Sequence, residues 1–128
     1  MLNKFKFKAQ HHTCEAALMQ AAESNEIATV ECIDYDHNTN TATVTLMGDI
    51  ALADADALAR HLEVHAPITR IVFDNNNRVT EYVWCSIGAG EHAVVQASTG
   101  DTYWCHNPES ISEYLFNNDV YAPYEQFE

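Results

Sequence analysis

Lysine disappears from this chain after its eighth residue. Lys4, Lys6 and Lys8 are the only lysines, and beyond them Arg60, Arg70 and Arg78 are the only fixed cations against 19 Asp and Glu. From Val79 to Glu128 there are eight acids and neither Lys nor Arg. A formal net charge of −13 repels phosphate, which argues against binding nucleic acid or an anionic membrane directly. It also costs stability through self-repulsion, so the imbalance needs a use or a reason such as solubility.

Other absences narrow the class further. No apolar run approaches the roughly 20 residues of a membrane span. The opening, Met1-Leu2-Asn3-Lys4-Phe5-Lys6-Phe7-Lys8, is basic but leads into Gln10-His11-His12 with no apolar region and no small-residue cleavage site, unlike a secretory signal. Cys14, Cys32, Cys85 and Cys105 lie 18, 53 and 20 residues apart. That spacing gives neither a disulfide scaffold nor a CxxC pair, so four thiols in a reduced cytoplasm are expected. Nucleophile-elbow, P-loop and dinucleotide fingerprints are missing, and Gly88-Ala89-Gly90 is too short and turn-like to cradle phosphate.

What is present suits one globular domain. At 128 residues and 47% apolar content, the chain can bury roughly two-thirds of its unfolded surface. The alternation of Lys and Phe over residues 4–9 predicts a strand with Phe5 and Phe7 on one face. Thr13 is placed to cap a helix through about Ser24, with Cys14, Ala17, Leu18, Ala21 and Ala22 as its apolar stripe. Residues 26–35 read as a strand. Asp36 to Asn40 is turn chemistry, and Thr41 to Met47 alternates, with Ala42, Val44 and Leu46 inward, completing a hairpin.

A second helix is expected from about Asp49 to His65, burying Leu52, Ala55, Leu58, Ala59 and Leu62, and ended by Ala66-Pro67. Strands then follow over Ile68 to Asp74, Arg78 to Ser86, His92 to Ala97 and Thr102 to Cys105. Asn107-Pro108 opens a third helix ending near Asn117-Asn118. The fold class is therefore α+β: an antiparallel sheet with two main helices on one face. The β-α-β-β-α-β start is compatible with a ferredoxin-like arrangement, and a strand meander and short helix follow. Residues 1–118 are read as a single domain and 119–128 as an acidic, aromatic tail.

Several constellations could carry chemistry. Asp54, His61 and His65 follow one edge of the second helix, a face able to hold zinc or nickel, though without an HExxH pattern. His11, His12 and Cys14 form a second group and Cys105-His106 a third, both without the paired spacing of a structural zinc site. A Cys–His dyad would need an exposed, activated cysteine, whereas these cysteines sit in apolar elements. Glu81-Tyr82-Val83-Trp84-Cys85 echoes Asp101-Thr102-Tyr103-Trp104-Cys105, which reads as two strands of one meander packing a shared face.

The acids of the C-terminal half are the sharper signal. Glu81, Glu91, Asp101, Glu109, Glu113, Asp119 and Glu125, with Tyr121, Tyr124 and Phe127, combine carboxylates with rings. Glu109 and Glu113 lie one helical turn apart. Arginine-rich grooves accept carboxylates bidentately and stack on aromatic rings. The expected function is a non-enzymatic acidic inhibitor of a basic, nucleic-acid-handling protein, of the phage counter-defence or toxin-immunity kind. No metal or cofactor is expected. The competing readings are a small metal- or ligand-binding module using His61 and His65, and an enzyme whose site carries no motif.

Overall fold

The computed structural model describes residues 1–75, 78–88 and 91–105, and the chain divides into two compact units, Met1–Pro67 and Ile68–Glu128. The helix expected from Asn107 and the tail 119–128 lie outside the described residues. The class is α+β, with two helices and two antiparallel sheets.

In the first unit, strands β1 (Leu2–Lys8), β2 (Val30–Asp36) and β3 (Thr41–Ile50) form a sheet in the order β1-β3-β2. Strict alternation decides its faces. Phe5, Val44 and Ile33 share one row, and Phe7, Ala42 and Tyr35 the next. These rows meet helices α1 (Glu15–Glu23) and α2 (Leu52–His65), whose buried Leu18, Ala21, Leu58 and Leu62 complete one core. Both helices therefore cover the same face of the sheet.

Three boundaries differ from the expectation. Residue 14, not Thr13, occupies the N-cap of α1, and no side-chain bond caps the helix. The strand expected from residue 26 starts at Val30, because the Asn25 side-chain oxygen accepts the N–H groups of Ile27 and Ala28 at 2.9 and 3.0 Å. That Asx turn holds the preceding segment out of the ladder. Asp49 belongs to β3, and α2 begins only at Leu52, which is 68% exposed rather than part of the buried stripe. In the β2–β3 turn Asn40 takes the left-handed conformation, φ 60°, that asparagine tolerates.

The second unit is a meander of β4 (Ile68–Asn75), β5 (Arg78–Gly88), β6 (Glu91–Gln96) and β7 (Thr102–Cys105) in chain order. The β1-β3-β2 order is the one a ferredoxin-like start requires, and β4 pairs with β5 in the second sheet. The short Asn-rich connection makes that hairpin the local, low-entropy choice. The register also corrects the Trp-Cys echo. Trp84 shares a row with Val94 and Tyr103, whereas Trp104 shares one with Ala93 and Cys85. The two tryptophans thus lie on opposite faces: Trp84 donates its indole N–H to His92 Nδ1 at 3.2 Å, and Trp104 is 57% exposed.

Two leucines of α2 separate burial from periodicity. Leu58→Ala, at 0% exposure, should destabilise the first unit by about 2–5 kcal/mol in urea titration. Leu52→Ala should shift the midpoint little; equal losses at the two sites would contradict the packing.

Candidate partner-binding surface

Charge is sorted by strand on the open face of the first sheet. Lys4, Lys6 and Lys8 form a column along β1, Thr45, Thr43 and Thr41 a column along β3, and Cys32, Asp34 and Asp36 a column along β2. All three lysines are exposed, as are both aspartates. Basic and acidic columns are two strand spacings apart, about 10 Å between backbones, and among the described residues no ion pair joins them. A shallow groove of about 400 Å³ runs between Lys6, Thr43, Asp34 and the β2–β3 turn.

The lysines are thereby concentrated on one strand of the first unit. In the second unit, Arg70 Nε donates to Glu81 Oε1 at 2.6 Å, the one ion pair among the described residues. That carboxylate, by its hydrogen bond and charge, raises the Arg70 pKa above its ordinary value. Glu81 is therefore a partner for its neighbouring strand, with its side chain 20% exposed. Glu91 and Asp101 are exposed. They stand at opposite ends of β6: Glu91 opens the strand, and the Asp101 carbonyl accepts the Gln96 N–H at 2.9 Å. Six residues of strand separate them by roughly 17 Å. Glu109, Glu113, Asp119, Tyr121, Tyr124, Glu125 and Phe127 lie outside the described residues.

The α2 histidines have a structural task. His61 Nε2 lies 3.1 Å from the Ala21 carbonyl and 3.0 Å from Ser24 Oγ, while that hydroxyl itself donates to the Ala21 carbonyl at 3.0 Å. A carbonyl only accepts, so Nε2 carries the proton and fastens α2 to the end of α1. The His65 ring stacks against His61 at a centroid separation of 4.4 Å. Among the described residues no three His, Cys, Asp or Glu side chains converge as metal ligands, and Asp54 does not complete a site with this pair.

Cysteine exposure differs from the expectation of uniformly apolar settings. Cys14 and Cys85 are buried, but Cys32 is an exposed free thiol on the open face. The alternation of β2 could have shown this, since Cys32 shares parity with Asp34 and Asp36. Sequence reasoning also missed a polar junction. His12 and His37, far apart in sequence, both bury Nδ1 where the β1–α1 loop meets the β2–β3 turn. Their only sequence signal was His12 beside Cys14; nothing marked His37 as its neighbour.

The comparisons add no relative: the chain matches no family model, no curated protein and no solved structure. No helix among the described residues is long and apolar enough to cross a membrane.

If His61 is a clasp, His61→Ala should cost about 1–2 kcal/mol, the worth of a lost and partly buried hydrogen bond. Urea titration of the purified variant reads this, and an unchanged midpoint would reduce the contact to incidental.

Proposed function

We propose that the protein is a non-enzymatic acidic binding protein that engages a basic, nucleic-acid-handling partner. Its carboxylates stand where the partner would otherwise hold phosphates, as in inhibitors of the phage counter-defence or toxin-immunity kind. The supporting observation is the scarcity of intramolecular neutralisation. Among the described residues only Glu81 has an ion-pair partner, while exposed acids such as Glu91 and Asp101 retain their full field. An acid row that served the fold would be matched by cations; this one is left to the solvent or to a partner. The lysine column on β1 sits on a separate strand of the first unit and does not interrupt the Arg- and Lys-free stretch from Val79.

Such a surface governs association more than retention. Steering by exposed charge raises the on-rate at low salt and fades over a screening length of about 8–10 Å. Proteins captured from nuclease-treated lysate at low salt should be basic, and duplex DNA should displace them. With the purified partner, Glu91→Lys with Asp101→Lys, or Glu109→Lys with Glu113→Lys, should slow association roughly tenfold or more without unfolding the domain. Removal of 119–128 should weaken binding further if the aromatic tail docks. Binding that ignores salt, survives both pairs of reversals and tolerates DNA would leave the acidity as an aid to solubility alone.

A further inference from the structure

The polar junction of the first unit does something that neither the acidic surface nor the core requires. Three hydrogen bonds close it. The Ala9 N–H donates to the Asn40 carbonyl at 2.8 Å, the Thr13 N–H to Tyr35 Oη at 3.3 Å, and the Tyr35 N–H to Glu15 Oε1 at 3.0 Å. Together they tie the β1–α1 loop and the first turn of α1 to the end of β2 and its turn. The His37 ring stands edge-on to Tyr35, centroids 4.9 Å apart at 88°.

Against these satisfied groups stand four buried side-chain atoms without a hydrogen-bond partner: His12 Nδ1, Thr13 Oγ1, His37 Nδ1 and Asn40 Oδ1. A buried polar atom left unpaired costs about 1–3 kcal/mol, so such a cluster is held in place by its surroundings. For an imidazole the cost depends on protonation. The neutral ring can bury a bare lone pair at Nδ1. The protonated ring carries N–H on both nitrogens and a full charge, and at Nδ1 it then has a buried donor with nothing to receive it.

We propose that this junction is a proton-operated latch, closed while the His37 imidazole is neutral and released when it takes up a proton. The groups facing His37 are Glu15 from α1, His12 from the loop and Asp36 from β2. Burial is the largest influence and lowers the His37 pKa below 6.5; Glu15 and Asp36 pull it upward, and His12 pushes it down again. The closed junction therefore binds fewer protons than the open one. Its stability is complete above the ordinary imidazole pKa and is lost as pH falls below it toward the lowered one. Release frees the loop and the turn while the central ladder of β3, which contains no titrating side chain between Thr41 and Met47, stays paired.

Amide hydrogen exchange of the intact protein tests this residue by residue. Protection at Ala9, Thr13 and Tyr35, expressed relative to Val44 on β3, should fall between pH 7.5 and 5.5, by up to about tenfold for one linked imidazole. His37→Gln should abolish most of that fall. Ring chemical shifts of the unmutated protein give an independent reading should a variant fail to fold: His37 should titrate below the ordinary imidazole value while the junction stays protected. A ratio that stays flat with pH, a fall that survives His37→Gln, or a His37 that titrates at or above the ordinary imidazole value beneath intact protection would overturn the latch.

Discussion

The alternation of β3 is the constraint on which the first unit depends. Ala42, Val44 and Leu46 are at most 3% exposed, and each neighbouring strand must copy their parity to share the core. That requirement puts Phe5 and Phe7 of β1 beneath the helices and, with them, Ile33 and Tyr35 of β2. The opposite face is then fixed without further choice. Lysine on one flank, threonine in the middle and aspartate on the other flank are what the pleat leaves over. A slip of one residue in either neighbour would bury lysines or carboxylates under α1 and α2, a cost far above any gain in pairing.

Much of this was legible from the residues. The inward set of β3, the Phe pair of β1 and the stop at Ala66-Pro67 follow from period and from proline, and the structure places them as read. What was not legible involved choices between near-equal local options. Asn25 could end a helix or hold an Asx turn, and it does both, donating to the Ala22 carbonyl while receiving Ile27 and Ala28. Leu52 kept helical spacing yet faces solvent, because a periodic stripe says nothing about where the partner surface stops.

The site divides along the same line. Net charge and its position are properties of the chain itself, so the Arg- and Lys-free stretch needed no structure to be found. Pairing is a property of register, and so the engagement of Glu81 by Arg70, 11 residues earlier, emerged only with the β4–β5 ladder. Histidines behaved likewise. His61 and His65 drew attention as a possible metal face by their spacing, but the helix partner across from them gives His61 a clasp. His12 and His37, 25 residues apart by sequence, meet only because β2 returns beside the loop after β1.

The sorted face of the first sheet carries a lateral dipole. The strands that carry three lysines on one flank and two aspartates on the other are held about 10 Å apart by an uncharged threonine column. A uniform excess of negative charge would attract a cationic body equally from every side. This arrangement adds a torque: the β2 flank turns toward the cation and the β1 flank turns away from it. Lysine's confinement to one short strand thus gives the first unit a heading as well as an attraction, before any contact is made.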